Sequence, residues 1–167
     1  MDIPDIYKKE ILILCCGNIL FGDDGFGCEV AKYIEKNFKL PNDVYLTDAG
    51  TSAGEILFTI AISEKKPKKI IIVDAVDVGK RAGEVFTLDI EDIPKNKIAD
   101  FSLHLFPSSN MLSFLKEKGV DIIIIACQIE RMPETVTQGI SDKLKNAIPV
   151  AAKFVLKNST QTITPKT

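Results

Sequence analysis

Two aspartates and the one histidine of the chain could carry chemistry: Asp24, Asp74 and His104. Carboxylate oxygens and an imidazole nitrogen form a mixed oxygen and nitrogen ligand set, which suits zinc or nickel and leaves coordination positions open. The same groups could hold a metal for hydrolysis or position and deprotonate a water molecule. Each also has a simpler interpretation: Asp24 could start a helix, Asp74 could lie in a solvated loop, and His104 could pack in the core.

Asp24 belongs to a glycine-rich stretch, residues 17–27, that follows the first apolar run of the chain. The stretch lacks the lysine of a nucleotide-binding P-loop and the glycine spacing of a dinucleotide-binding loop. It also contains two adjacent carboxylates, Asp23 and Asp24, which would repel a phosphate group at close range. We therefore expect this loop to face a cation or a protonated group.

The apolar pattern predicts the elements that must position these residues. Nearly continuous β-branched runs, typical of strands covered on both faces, lie at residues 11–16, 70–73 and 122–127. Shorter outer strands, the second of which could be antiparallel, are expected at residues 44–47 and 84–88. Helical periodicity marks residues 27–38, 53–62, 109–117 and 141–156. The order predicts a single-domain α/β fold: a three-layer sandwich with a mostly parallel, twisted sheet of about five strands and helices on both faces.

Parallel sheets bind ligands beyond the carboxyl ends of their strands, where loops and helix N-termini converge. Asp24 follows the first predicted strand, Asp74 ends the strand at residues 70–73, and Asp48 ends the outer strand at residues 44–47. The fold would therefore bring these carboxylates to one edge of the sheet.

The composition argues against several classes of protein. With 21 basic and 23 acidic residues and a net charge of -2, the chain has no basic stripe for nucleic acid. Its polar first ten residues do not fit a signal peptide, and its apolar runs are too short to span a bilayer. We expect a cytoplasmic protein with no nucleic-acid or membrane partner. The four cysteines lack the spacing of a zinc ribbon or a redox dithiol.

Residues 17–27, Gly-Asn-Ile-Leu-Phe-Gly-Asp-Asp-Gly-Phe-Gly, resemble the opening motif of the hydrogenase maturation endopeptidases. The segment Asp-Ala-Gly-Thr at residues 48–51, the Val-Asp-Ala segment around Asp74 and the segment around His104 occur in the family's order and spacing. The resemblance covers roughly residues 10–155. The cysteine pair at residues 15–16 and the stretch 108–112 are most similar to the archaeal branch that serves deazaflavin-coenzyme-reducing hydrogenases.

This resemblance implies that the chain removes a short C-terminal extension from a nickel-iron hydrogenase large-subunit precursor after nickel insertion. It also implies that Asp24, Asp74 and His104 are both catalytic residues and metal ligands, with nickel supplied by the bound precursor. Whether nickel polarises the scissile carbonyl or a carboxylate activates the water stays open. Four further residues are expected to contact the substrate: Asp23, Asp48, Gly50 and Thr51.

Two alternatives remain open from the sequence. One is a non-enzymatic nickel- or nucleotide-binding protein on a flavodoxin-like fold, which would bind metal tightly in isolation; the other is a purely structural α/β domain. We expect the peptidase domain to cover residues 1–158 and a polar, flexible tail to cover residues 159–167. Two apolar runs beside the site, residues 19–21 and 103–106, could contact the partner or pack locally.

Overall fold

A central β-sheet organises the chain. The computed structural model describes residues 8–92 and 109–159, together with the backbone of residues 164–165. The strands, numbered in chain order, are β1 (Ile11–Cys16), β2 (Phe38–Lys39), β3 (Val44–Gly50), β4 (Lys69–Val76), β5 (Val85–Leu88), β6 (Asp121–Gln128) and β7 (Thr164–Pro165). The α-helices are α1 (Phe26–Asn37), α2 (Ala53–Ile62), α3 (Ser109–Glu117) and α4 (Asp142–Ser159). Short 3-10 turns lie at Gly22–Gly25 and Ile90–Asp92.

The sheet has five strands in the spatial order β3-β1-β4-β6-β5, and β2 pairs separately with β7. β1 is parallel to β3 and β4, and β4 is parallel to β6, whereas β5 runs antiparallel to β6 at one edge. The predicted fold class is confirmed, and a helix or strand occurs at each predicted place, but Phe38, predicted as the end of the first helix, belongs to β2. The central runs are apolar throughout because helices cover both faces of the sheet, so neither face can be polar.

The sheet separates two apolar cores. Helices α1 and α4 pack on one face, against Ile13 and Val73, and helices α2 and α3 pack on the other, against Leu14 and Ile72. Neighbouring residues of a strand point to opposite faces, so every central strand contributes to both cores. No helix among the described residues could serve as a membrane span.

Helix α1 begins directly on the sheet because Gly27 has no side chain. A Cβ atom at Gly27 would lie 2.1 Å from the carbonyl oxygen of Cys16 and 2.7 Å from that of Val73. These two residues lie near the carboxyl ends of β1 and β4. The close approach therefore places the N-terminus of α1, and the turn before it, over the edge where the sequence predicts the site.

Two strands continue beyond their predicted ends. β4 extends to Val76, so Asp74 lies inside the strand rather than at its end, where it had been predicted. β3 extends to Gly50 and therefore includes Asp48. At the C-terminus, α4 ends at Ser159 and residues 164–165 pair antiparallel with β2. The domain boundary at residue 158 and the flexibility of the tail stay predictions.

Candidate active site

The loop between β1 and α1 closes around Asp24. The backbone N–H of Asn18 donates to Asp24 Oδ2 at 3.1 Å and to the Asp24 carbonyl oxygen at 3.2 Å. Gly17 has a φ of +145°, and a Cβ there would lie 2.1 Å from the same carbonyl oxygen, so the position requires glycine. Asp24 itself is only 3% exposed. The loop thus fixes a buried carboxylate at a defined place.

Asp74 is a carboxylate within the centre of the sheet. It is 0% exposed, pairs with Ala126 of β6, and accepts a hydrogen bond from the Ala75 N–H at 2.9 Å through Oδ1. Burial, followed by the nearby Asp74 carboxylate, raises the pKa of the Cys16 thiol well above its usual value. Ile72 belongs to the core under α2 and α3, so the alternation of side chains along the strand directs Asp74 to the same face. Burying a carboxylate costs several kcal/mol, so its presence in the buried, apolar part of β4 favours a functional role.

Asp24 and Asp74 lie at the same end of the sheet. The 3-10 turn that contains Asp24 packs against β4, and Gly27, three residues further on, contacts the backbone next to Asp74. Within the described residues, no group of three or more histidine, cysteine, aspartate or glutamate side chains is placed to hold a metal ion. Metal binding by Asp24 and Asp74 stays a prediction. His104 lies outside the described residues, so its role stays a prediction as well.

The residues predicted to contact substrate on β3 form a rim beside this loop. Asp48 is exposed and accepts a hydrogen bond from the Gly50 N–H at 3.2 Å. The β1–β3 register skips Ala49, and the Gly50 carbonyl oxygen accepts the Gly17 N–H at 3.0 Å. Thr51 follows and is exposed. The structure therefore joins the rim to the Asp24 loop, and substrate contact at these three positions remains a prediction.

Asp23 occupies a different environment from the neighbouring Asp24. Its side chain is 4% exposed, and both of its carboxylate oxygens accept backbone hydrogen bonds: Oδ1 from Ser141 at 2.6 Å and Oδ2 from Glu130 at 2.9 Å. These contacts join the Asp23 carboxylate to a second loop. Substrate contact by Asp23 stays a prediction.

That second loop, residues 129–141, was not associated with the site from the sequence. Thr137 donates to the Leu20 carbonyl oxygen at 2.8 Å and accepts the Gly22 N–H at 2.7 Å, so the two loops run side by side. A cavity of about 190 Å³ lies between them. In the apolar run of residues 19–21, for which partner contact and local packing both stay open, Ile19 is 53% exposed and Leu20 is 44% exposed. The other run, residues 103–106, lies outside the described residues.

The cysteines of the chain do not provide a nucleophile. Burial raises the pKa of Cys28 to about 12, with the nearby Asp48 carboxylate as the next cause, and burial raises the pKa of Cys127 to about 12 as well. All four cysteines are free and buried. Because the thiolate is the reactive form, these thiols are inert at neutral pH. The cysteines are therefore not candidates for the catalytic nucleophile, and catalysis by the carboxylates stays a prediction.

Comparisons with known proteins agree with the geometry. Residues 28–158 match the family model described as hydrogenase maturation protease. The chain is 38% identical over 154 residues to the coenzyme F420 hydrogenase delta subunit of Methanothermobacter thermautotrophicus, covering 90% of this chain and 94% of that one. It is 33% identical over 117 residues to the hydrogenase 3 maturation protease of Escherichia coli, covering 70% and 71%. The solved structure of the hydrogenase maturating endopeptidase HybD from E. coli superimposes with a TM-score of 0.73 at 27% identity, covering 94% of this chain and 98% of that one.

Proposed function

Because the chain belongs to the hydrogenase maturation protease family, whose members are endopeptidases, we propose that it removes the C-terminal extension of a nickel-hydrogenase large-subunit precursor after nickel insertion. The observation that carries the proposal is the position of the buried Asp24 on a turn packed against β4, the strand that contains the buried Asp74. Membership of an enzyme family disfavours the alternative of a non-enzymatic binding protein. We place the reaction in the cytoplasm.

Similarity to the delta subunit of a deazaflavin-linked hydrogenase supports a precursor of that type as the first candidate substrate. That relative matches nearly its whole length, so the similarity is not limited to one motif. The partner in this proposal is the large-subunit precursor, which presents both the scissile peptide bond and the nickel ion.

We attribute recognition of the nickel to Asp24, Asp74 and His104. Two carboxylates with little solvent around them favour an approaching divalent cation more strongly than the same groups would in water. Asp24 and Asp74 have this environment, since their exposures are 3% and 0%. A nickel ion already held by thiolates of the precursor would bring its own softer ligands and accept oxygen or imidazole ligands at its open positions. Precursor without nickel would offer the carboxylates no such partner.

Hydrolysis then requires a water molecule that attacks the scissile carbonyl carbon. A carboxylate of Asp24 or Asp74 accepts the proton of this water, and the nitrogen of the leaving peptide is protonated as the C–N bond breaks. Because the cysteines are protonated and buried, we assign no covalent thioester intermediate to the reaction. The products are the shortened large subunit and a free C-terminal peptide.

The test is mass spectrometry of a nickel-loaded precursor and of a nickel-free one after incubation with wild-type protein, Asp24→Asn, Asp74→Asn or His104→Ala. We expect wild type to release the C-terminal peptide only from the nickel-loaded precursor. Each variant should be slower by at least about 100-fold, the scale of a lost general base or electrostatic partner. Asp121→Asn is the matched control, because Asp121 is an exposed carboxylate at the opposite end of β6, ion-paired with Lys69.

Three outcomes contradict parts of the proposal. Equal cleavage of nickel-free precursor would keep the peptidase and remove nickel recognition. Unchanged rates for the Asp24 and Asp74 variants would move the site elsewhere. If several precursors, including the deazaflavin-linked one, all stayed intact with wild type, the substrate proposal itself would be wrong.

A further inference from the structure

We propose that Asp23 is a positioning residue, whose buried carboxylate ties loop 129–141 and the start of α4 to the turn that carries Asp24. By holding this turn, Asp23 sets the place of the Asp24 side chain. The inference rests on the proposed function in one respect, because the place of Asp24 affects catalysis only if Asp24 belongs to the active site.

The contacts of Asp23 are those of a structural anchor. Its two oxygens accept backbone hydrogen bonds from Ser141 at 2.6 Å and Glu130 at 2.9 Å. Hydrogen bonds to a carboxylate are shorter and roughly twice as strong as those between neutral groups. Ser141 immediately precedes the 18-residue helix α4, so the carboxylate also lies at the positive end of a long helix dipole. With 4% exposure, little of Asp23 is left for a substrate to touch.

Asp23 and Asp24 are neighbours in the chain, so a shift of Asp23 also moves Asp24. On one side of the turn, Gly22 donates to the Thr137 carbonyl oxygen at 2.7 Å, which adds a second tie to loop 129–141. On the other side, Asp24 Oδ2 accepts the Asn18 N–H at 3.1 Å. A turn fixed at Gly22 and Asp23 has little freedom to rotate, so Asp24 keeps its hydrogen bond to Asn18.

The side chain of Glu130 does not place a second negative charge beside the Asp23 carboxylate. Its carboxylate turns outward and forms an ion pair with Lys143 Nζ at 2.6 Å, with 43% of the glutamate side chain exposed. Loop 129–141 thus offers Asp23 its backbone donors and keeps its own negative charge in solvent. The arrangement is specific to a carboxylate at position 23, because both acceptor oxygens are used.

The first test measures amide hydrogen exchange by NMR in the absence of any precursor. In Asp23→Asn one acceptor oxygen becomes an NH₂ donor, so we expect protection to fall about tenfold or more at Glu130 and Ser141. The diagnostic amide is Asn18, whose protection should fall as well, whereas amides in the interior of β4 should keep theirs. Unchanged protection at Asn18 would overturn the proposal, because Asp24 would then hold its place without Asp23.

Ser141→Ala is the matched control. It keeps the backbone N–H that Asp23 binds and removes only Ser141 Oγ, a buried atom with no hydrogen-bond partner in the described part of the chain. We expect wild-type exchange at Asn18 and Glu130 in this variant. A loss of protection at Asn18 in Ser141→Ala as large as that in Asp23→Asn would also overturn the proposal.

The second test separates kcat from KM on nickel-loaded precursor. A misplaced catalytic group lowers kcat on the order of 100-fold, so Asp23→Asn should lose kcat with KM changed by less than about threefold. Asp23→Glu keeps the negative charge but lengthens the side chain, and we expect it to fold normally and still lose kcat. A raised KM with unchanged kcat would make Asp23 a substrate contact, and wild-type kcat in Asp23→Glu would refute positioning.

The two tests keep this inference apart from the proposed function. If wild type cleaves no precursor, the substrate proposal fails and the exchange data still decide whether Asp23 positions Asp24. If wild type cleaves but Asn18 exchange is insensitive to Asp23, only the positioning role fails.

Discussion

Replacing Gly27 with alanine should destabilise the protein, although alanine is the better helix former. Gly27 is the second residue of α1, and its Cα lies against the backbones of β1 and β4. In an open helix the same substitution would raise the free energy of unfolding by about 1 kcal/mol. Here the new methyl group would meet the Cys16 carbonyl oxygen at 2.1 Å, where ordinary contacts begin at 3.4 Å.

The size of the effect follows from what would have to move. To relieve the contact, α1 would have to lift from the sheet by about 1 Å, because Cys16 and Val73 belong to central strands that cannot yield. Overpacking of this kind costs roughly 1 to 3 kcal/mol, and rigid neighbours place Gly27→Ala at or above the upper end. After the helix-propensity gain we expect a net loss of about 2 to 3 kcal/mol, which lowers the melting temperature by roughly 5 to 10 °C.

Urea denaturation and thermal unfolding followed by circular dichroism measure this loss. Gly119→Ala is the matched control, since Gly119 has a φ of +88° and a Cβ there would meet no heavy atom within 4 Å. That variant carries only the cost of a left-handed backbone, about 1 kcal/mol. The cleavage assay adds a second measurement, because lifting α1 moves Asp24 and should reduce kcat in the folded fraction.

The reasoning is refuted if Gly27→Ala unfolds at the wild-type urea concentration or above it. Helix propensity would then outweigh the contact, and the close approach of α1 to the sheet would not constrain this position. A loss equal to that of Gly119→Ala would also contradict it, because removal of any glycine would then explain the result.

The remaining predictions concern other buried polar and ionisable side chains. Between pH 9 and pH 12 stability should fall, because the unfolded thiols ionise near pH 9 whereas Cys28 and Cys127 stay protonated in the folded state up to about pH 12. The loss should be about 1.4 kcal/mol per pH unit for each thiol, measured by urea denaturation, and Cys28→Ala should reduce it by one such contribution. Gln128→Leu should cost about 2 kcal/mol by the same assay, since Gln128 Oε1 accepts the N–H groups of Val78 at 2.9 Å and Lys80 at 3.1 Å.

The sheet could be predicted because its central strands have a distinctive composition. Runs such as residues 122–127 are apolar and rich in β-branched residues, without alternation of polar and apolar positions. This composition is typical of a strand that is covered on both faces, because neither face contacts water. The edge strand β5 was also predicted, with antiparallel pairing as one possibility, and it does pair antiparallel with β6. These signals are local, and they suffice for the type of each element.

The position of Asp74 within its strand could not be predicted from local signals. The sequence after Val73 looks like the start of a loop, yet Asp74, Ala75 and Val76 pair with residues of β6 up to Gln128. The end of β4 is set by the length of its neighbour, which lies more than 40 residues further along the chain. A charged residue can therefore be buried inside a strand when the adjacent strand continues past it.

The roles of the two adjacent aspartates also depend on distant contacts. Asp23 and Asp24 have the same side chain, and both are acceptable in the first turn of a helix. The donors that bind Asp23 are backbone N–H groups 107 and 118 residues away, and a backbone donor leaves no trace in the residue types. Family resemblance selected Asp24 for the site, whereas the contacts behind the role that we propose for Asp23 are seen only in the structure.

The two glycine contacts that enclose residues 17–27 have a consequence for how this protein can change over evolution. Gly17 touches the Asp24 carbonyl group and Gly27 touches the sheet, so the segment between them has a fixed length. An inserted or deleted residue there would break one contact or the other and carry the aspartates out of place. The β1–α1 loop should therefore keep a constant length as the protein diverges, and its sequence should change by substitution rather than by insertion or deletion.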